Sequence, residues 1–553
     1  MSKNLSHLSQ RKGLSDNLFD KIGYEAQENG SLDPKAIREI ADEYLMGTAN
    51  VFGTASFYDF TRPSHRGKKV YVCNGSACLA AGTQSALKSA LQENFAAEEI
   101  GEMCCLGRCH ENVAFHYKGT NYSGADFLKA KDIFNQDGPD VISAENYHVE
   151  STGQKILTGT PPSIEEMKAW MQSWLQMEPT ALLEEIKTSA LRGRGGAGFP
   201  IWIKLDGCRK AAGKQKYIVC NADEGDPGSY SDRYLLENQS ELVLAGMWLA
   251  ARITGSDIGV VYIRAEYPDS VNMIQQTVEN WRKAGLLGQN ILGSGFDFDF
   301  KVIKAQGAYI CGEETALLSS IEGQRPEVRV RPPFPVQEGL FRMPTVVNNV
   351  ETLANLPYII QNGGQNFAAI GTEKSTGTKL VSLDSALNVP GIYEVEMGSS
   401  LSKLILQQAK GFRRPVKALH IGGPLGGLVP ISKLDDLSVD FESFASQRFM
   451  LGHASVVSVP EEFPMLYYLE HLFEFTAHES CGKCFPCRLG STRGKEMIQK
   501  ARTQHDYKID RQLMDDLLDT MKRGSLCALG GGIPLPVINA LKYFEDELAP
   551  YFK

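Results

Sequence analysis

Three cysteines crowd into one short stretch of this chain: Cys481, Cys484 and Cys487, in ESCGKCFPCR. Thiolates at C-x₂-C-x₂-C spacing wrap three corners of one site, and the fourth ligand must come from elsewhere. Cys527, in GSLCALGGG, is the candidate, so the chain has to fold back to deliver it. A tight triple plus one remote cysteine suits a [4Fe–4S] cubane. Zinc is the rival for four thiolates, but its sites usually come as two C-x₂-C knuckles, and the second knuckle is missing. Buried, uncoordinated thiols are the remaining alternative.

A second group lies near the other end. Cys73 and Cys78 stand in VCNGSAC, and Cys105 and Cys109 in CLGRC. Two pairs of this kind suit a [2Fe–2S] rhomb, although the spacing differs from that of plant-type ferredoxins. The alternative is a thioredoxin-like domain without its cluster. Cys104, adjoining Cys105, is the spare and reads as a buried thiol. Cys208, Cys220 and Cys311 are scattered and read as ordinary core residues.

At 553 residues the chain exceeds one ordinary core, and roughly three to five domains are expected. Hydrophobic residues at 42% and charged residues at 22% describe a soluble globular protein. The net charge of −9, without a long basic run, argues against a nucleic-acid partner. No stretch approaches the run of about 20 apolar residues that membrane insertion needs. MSKNLSHLSQRKGLSDN lacks the apolar core of a secretory signal, so a cytoplasmic location is expected. Cysteines there serve as metal ligands or thiols rather than disulfides.

The pattern along the chain predicts a multidomain α/β protein. Residues 1–66 read as a helical segment, with DPKAIREIADEYL placing Ile37, Ile40, Ala41 and Leu45 on one face. Residues 67–135 form a small α/β unit: KKVYVC is strand-like, GTQSALKSALQENF helical, and NVAFHYKGTNYSG a hairpin. NQDGPDVISAENYHVESTGQK is polar and aperiodic and reads as a linker, so 136–179 is assigned as linker and helix. Strands and helices alternate through 180–365. A small β-rich unit is expected over 366–455 and a helical domain over 456–553.

LRGRGGAGFP contains Gly193, Gly195 and Gly198, a formal G-x-G-x-x-G, with Gly196 inside it. A Rossmann fingerprint needs a strand before it and a helix after it; here a helix comes first and Pro200 follows, so that reading is rejected. What remains is a glycine-rich loop flanked by Arg192, Arg194 and Lys204, suited to a phosphate or to a flat ring. After the strand YIVC come Asn221, Asp223, Glu224 and Asp226, which can accept bonds from sugar or ribityl hydroxyls or belong to a solvated turn. GAYICGEETAL brings Glu313 and Glu314 to a helix start, where the macrodipole alone would favour them. Iron–sulfur clusters pass single electrons, pyridine nucleotides give two as hydride, and a flavin converts between them.

LRGRGGAGFP, CNADEGDPG, GAYICGEETALLSSIEG, PTVVNNVETL, SCGKCFPCR and SLCALGGG, in this order, resemble the flavin-bearing NADH-oxidising subunit of respiratory complex I and its soluble relatives. VFGTASFYDF, VCNGSAC and CLGRC resemble its companion, a helical segment followed by a thioredoxin-like [2Fe–2S] ferredoxin. The chain thus resembles a fusion of the two. The resemblance implies FMN, a [4Fe–4S] and a [2Fe–2S] cluster, and NAD(H) as substrate. FMN would lie against Gly193–Gly198, with Arg194 and Lys204 near its phosphate and Asn221 and Asp223 facing the ring and ribityl chain. Glu224 and Asp226 would line the nicotinamide side, and Phe199 would stack on the dinucleotide. Tyr309, Gly312, Glu313 and Glu314 would border the NADH cleft, and Asn348 and Asn349 the FMN phosphate. Acidic residues near the adenosine ribose would disfavour NADPH. The β-rich unit resembles the family's ubiquitin-like insert.

Three departures stand out. Asp226 is shorter than the family's usual acidic residue. IWIKL alters the neighbours of Lys204. His110 follows Cys109 where Ala-Pro is usual, and reads as a surface residue able to tune the cluster.

The expected activity is that of a diaphorase subunit, with no protein residue acting as a catalytic acid or base. Its expected partners are a molybdenum or tungsten formate dehydrogenase catalytic subunit or a hydrogenase, and an iron–sulfur subunit. A β subunit of soluble NAD-dependent formate dehydrogenase is the first expectation, since the hydrogenase version often lacks ferredoxin ligands. The alternatives are the diaphorase subunit of an NAD-reducing or bifurcating hydrogenase, the NADH-input module of complex I, and a scaffold without cofactors.

Overall fold

A computed structural model describes residues 18–29, 31–124, 133–134 and 147–553. The N-terminal residues on which the secretory-signal expectation rests, and most of the expected linker, lie outside this range. Near the N-terminus three helices span Leu18–Asn29, Pro34–Glu43 and Thr48–Ala55. Asp33 caps the second by accepting from the Lys35 and Ala36 N–H groups, with Pro34 preset in the first turn. Ile40 and Ala41 are buried, whereas Leu45 is 42% exposed. Leu45 lies beyond the helix end at φ 50, so the helical phase that put it on the apolar face no longer applies.

Strands β1 (Val70–Cys73), β2 (Ile100–Met103), β3 (Phe115–Tyr117) and β4 (Thr120–Tyr122) form a sheet in the order β2-β1-β3-β4. The β1–β2 pair is parallel and the others antiparallel. Val70 and Val72 alternate inward onto Leu87, Leu91 and Phe115. The β3–β4 turn is Lys118-Gly119, both at positive φ, as a tight hairpin requires.

Strand β5 (His148–Ser151) falls within the stretch expected to be a linker. It has no apolar alternation of its own and takes its order from a neighbour in another unit (below). Strands β6 (Tyr217–Ala222), β7 (Ile258–Ile263), β8 (Asp299–Lys304) and β9 (Thr345–Asn349) make an all-parallel sheet ordered β8-β7-β6-β9. The inner strands YIVCNA and IGVVYI are nearly continuous apolar runs, as burial on both faces demands. Helix Ser240–Thr254 packs there so closely that a Cβ on Gly246 would strike the Leu353 carbonyl. The chain leaves β6 toward β7 on one side and reaches β9 on the other, so β6 and β9 flank the topological switch point. Ligands of open parallel sheets bind beyond the carboxyl ends of the strands at such a point.

A six-stranded sheet follows: β10 (Thr378–Leu383), β11 (Gly391–Glu396), β12 (Val416–Ile421), β13 (Gly427–Pro430) and β14 (Ser455–Pro460), ordered β13-β12-β14-β10-β11-β5. The sheet thus runs past residue 455, and β5 is its edge, parallel to β11. Glu394 of β11 anchors the chain after β5 by accepting from the Leu157 and Thr158 N–H groups. The remaining chain is helical, chiefly Met465–Glu479, Phe485–Thr503, Arg511–Gly524 and Pro534–Tyr543. Among the described residues no helix is long and apolar enough to cross a membrane.

Candidate cofactor sites and electron-transfer cavity

Cys73 ends β1, Cys78 lies in the helix Ser76–Ala81, and Cys105 and Cys109 follow β2. All four are buried. The Cys105 and Cys109 Sγ atoms lie 3.4 Å apart, and the Cys73 thiol is within hydrogen-bonding reach of those of Cys78 and Cys105. Backbone N–H groups point at the sulfurs: Gly107 donates to Cys105 and Gly228 to Cys109. Such donors stabilise thiolate charge, so the set fits a cluster. Gly228 belongs to the central domain, which therefore supplies part of this site. Cys104 is buried beside it, as expected of the spare thiol, and its carbonyl accepts from Arg264. His110 is not at the surface: it is 2% exposed, wedged between the Tyr147 and Tyr230 rings at 4.8 and 4.9 Å. Tyr147, just before β5, and Tyr230, at a remote helix start, close over the ring and bury it.

Cys484 caps helix Phe485–Thr503, Cys487 stands in its first turn, and Cys481 precedes the left-handed Gly482. Cys527 caps the short helix Ala528–Gly532 and meets the electrostatic reach of Cys481 and Cys487. Burial pushes the Cys487 thiol up to about 11 and that of Cys527 to about 12, so a bound metal would displace their protons. Gly530 gives the sulfurs room: a Cβ there would lie 3.0 Å from the Cys487 Sγ.

Between these sites two connected hollows open beyond β6 and β9. The deeper, about 310 Å³, is lined by Gly195–Ala197, Asn221, Asp223–Asp226, Tyr309, Gly312, Asn349 and His453. The wider, about 640 Å³, adds Gly193, Phe199, Lys204, Glu314, Arg331, Asn348 and Cys527. Close approach of the glycine loop is obligatory, because a Cβ on Gly195 would lie 2.9 Å from that of Asn349. Asp223 Oδ2, Asp232 Oδ1 and Asn348 Nδ2 are buried without protein partners, the pattern expected where a polar-edged ligand completes the wall.

Most of the sequence-derived residues meet here. Asn221 donates to the Gly312 carbonyl at 2.8 Å, and Tyr309 O–H to Asp226 at 2.7 Å. Burial raises the Asp226 carboxyl, while His453 and the Tyr309 hydroxyl oppose that rise. Glu313 caps the helix Glu314–Ile321, and Glu314 holds Lys204 at 3.0 Å and Arg331 at 2.8 Å. Phe199 is 45% exposed at the wide mouth. In IWIKL, Ile203 lines the hollow, while Trp202 lies under Lys187.

Two side chains depart from the expected roles. Arg194 is wholly buried and lines neither hollow; its Nη2 donates to the Thr376 carbonyl. The loop turns its backbone, not its guanidinium, toward the cavity. Glu224 lines the deep hollow, but its carboxylate is spent on Ser229 Oγ and the Asp232 and Arg233 N–H groups. It is a strut for the start of helix Ser231–Asn238 rather than a free nicotinamide contact. Reading the sequence missed Arg264, which donates to both the Glu224 and Cys104 carbonyls and so ties the cavity wall to the cluster loop. It also missed Asp232 and His453. Asp232 lies four residues past CNADEGDPG, and His453, in MLGHAS, carries no local signal.

Comparison with known proteins agrees with this geometry. Residues 15–136 match the thioredoxin-like [2Fe–2S] ferredoxin model, 186–358 the Nuo51 FMN-binding domain, and 467–551 the NADH-ubiquinone oxidoreductase-F iron-sulfur binding region. An NADH-quinone oxidoreductase subunit of Rhizobium meliloti is 40% identical over 68% of this chain and 89% of its own length. NAD-reducing hydrogenase HoxS subunit alpha of Cupriavidus necator is 31% identical over 97% of this chain and 92% of its own. A crystal structure of an NAD⁺-reducing [NiFe]-hydrogenase in the H₂-reduced state superposes with a TM-score of 0.85 at 28% identity, covering 97% of this chain and 93% of that one.

A glycine-walled cavity between two thiolate sets defines a flavin- and iron–sulfur-dependent electron-transfer subunit. The chain belongs to the family of FMN-bearing NADH-oxidising subunits shared by complex I and the NAD-reducing hydrogenases, with the thioredoxin-like ferredoxin in the same chain. It is accordingly an NADH-binding diaphorase-type oxidoreductase subunit with FMN, [4Fe–4S] and [2Fe–2S] domains.

Proposed function

We propose that this chain is the diaphorase subunit of a hydrogenase-type complex, carrying electrons between NAD(H) and its two clusters. The observation that carries the reading is that both cluster sites share the cavity wall: Cys527 lines the wide hollow, and Gly228, two residues after Asp226, donates to Cys109. FMN, when bound, supplies the conversion of a hydride into single electrons. The residues of the chain bind, orient and exclude. The Gly193–Gly198 backbone lets a flat ring approach, and Asn221 is held in place by Gly312. Lys204, Asn348 and Asn349 face the phosphate side, and Phe199, Glu313 and Glu314 border the dinucleotide. Tyr309 holds Asp226 at the deep wall.

Similarity over nearly the full length of HoxS subunit alpha supports the hydrogenase-type assembly. A formate dehydrogenase β subunit is the second reading, favoured by the complete four-cysteine set of the ferredoxin part. Anaerobic purification from the native host separates them. The expected result is about six irons and one FMN per chain, with NADH-driven dye reduction. Co-purifying subunits that reduce NAD⁺ with H₂ support the first reading, and formate-driven reduction the second. A folded, colourless protein would leave only a scaffold.

A further inference from the structure

The deep hollow is lined by the carboxyl groups of Asp223, Glu224, Asp226, Asp232 and Glu313, and among the described residues lining it His453 is the lone cationic group. The two cations anticipated from sequence do not serve here: Arg194 faces the interior, and Lys204, at the wider hollow, is held by Glu314 and the Val347 carbonyl. His453 is aimed at the hollow by backbone that few residues adopt, since its neighbours Gly452 and Ala454 have φ of 55 and 61.

Hydrogen-bond logic sets its protonation. Ser229 Oγ lies 2.6 Å from Glu224 Oε1 and gives that carboxylate its single hydrogen. It must therefore accept from His453 Nδ1–H, at 2.7 Å. The other nitrogen, Nε2, lies 3.2 Å from Asp232 Oδ2; the Asn349 amide, 3.4 Å from Nε2, gives its hydrogen to that same carboxylate oxygen at 2.6 Å, which leaves Nε2–H as the second donor to it. Both ring nitrogens carry hydrogen, so the ring is an imidazolium. The same three residues lie close enough to suggest a metal site, but Glu224 is saturated by Ser229, Ser231, Tyr267 and two backbone N–H groups. The triad is a held cation rather than a set of metal ligands. Of the charges facing His453, Asp232, Glu224 and Asp226 favour the charged ring, and Lys379, itself paired to Glu351, opposes it.

We propose that His453 is a fixed cation of the flavin cavity, which favours two-electron-reduced FMN over oxidised FMN and so sets the cofactor's potential. It rests on the reading that the deep hollow takes the flavin ring. FMN, when bound, would supply the hydride chemistry, and after taking two electrons and one proton from NADH its ring would carry one negative charge more than the oxidised ring. A cation in a wall shielded from water stabilises that charge and leaves the oxidised ring nearly unaffected. A site can shift an equilibrium only by its differential affinity for the two states, so the effect must appear in binding, without turnover.

The test uses the full-length chain freed of flavin under argon. The dissociation constants of oxidised and photoreduced FMN are measured for wild type, His453→Gln and His453→Lys. The preference of wild type for reduced FMN should fall about tenfold in His453→Gln, with affinity for oxidised FMN little changed, and His453→Lys should keep it. Equal loss of both affinities, or an unchanged ratio, would overturn the proposal and assign His453 a structural role. If His453→Gln does not fold, Asp232→Asn decides. Loss of the partner carboxylate should make the ratio fall with rising pH at a lower pH than in wild type, and a ratio with the wild-type pH dependence would overturn the proposal. Failure of the wild-type chain to bind FMN in either state would overturn the cavity assignment itself.

Discussion

The backbone N–H of Gly228 donates to the Sγ of Cys109 at 3.2 Å, joining the loop that carries Asp226 to a thiolate of the ferredoxin part. Gly228 has φ 96, and a Cβ there would lie 2.6 Å from Val457. Gly228→Ala should therefore lower the melting temperature, with a cost of about 1–3 kcal/mol. It should also shift the redox titration of the [2Fe–2S] signal, because relieving the clash with Val457 moves the backbone N–H away from the sulfur. An unchanged titration in a folded variant would show that the contact does not tune the cluster.

Cys527→Ser tests the other end. Iron should fall from about six to about two per chain while FMN is retained. NADH should still bleach the flavin, because serine keeps nearly the shape of the wall that Cys527 gives the wide hollow. Electron paramagnetic resonance should show loss of the [4Fe–4S] signal alone.

Tyr309→Phe removes the hydroxyl that favours ionised Asp226, while the ring keeps its edge contact with Phe475 at 4.9 Å. Removing a bond to the charged form raises the carboxyl further. The acid limb of NADH oxidation should therefore move to higher pH. A pH–rate profile checks this.

Lys379 and Glu351 form an ion pair with no exposure to solvent, and Glu351 also accepts the Leu380 N–H. Lys379→Met leaves a buried carboxylate unpaired and should cost about 3–5 kcal/mol. The double variant Lys379→Met/Glu351→Gln should recover part of that loss. Chemical denaturation of wild type, Lys379→Met, Glu351→Gln and the double variant closes the cycle.

Burial holds His420 near pKa 4, below the value of 6.5 for a free imidazole. Its neutral ring contributes stability in full above pH 6.5, and that contribution is lost as pH falls through about 4. The shift corresponds to something on the order of 3 kcal/mol. His420→Gln should flatten the decline of melting temperature between about pH 6.5 and 4.

The sequence by itself determined the parts whose geometry is local. C-x₂-C-x₂-C places Cys481, Cys484 and Cys487 around one turn whatever surrounds it, and Gly195 permits a close approach that a Cβ would block. The β3–β4 hairpin and the apolar strands β6 and β7 follow from turn chemistry and burial pattern. Tertiary structure decided what depends on segments meeting. His148–Ser151 becomes a strand only because β11 offers an edge. Arg194 turns inward because Thr376, far along the chain, accepts from it. His110 is buried because Tyr147 and Tyr230 close over it. His453 faces the hollow because the loop before β14 and the start of helix Ser231–Asn238 converge there. Spacing along a chain encodes local geometry; which way a lone side chain faces is settled by partners hundreds of residues away, and no short pattern records them.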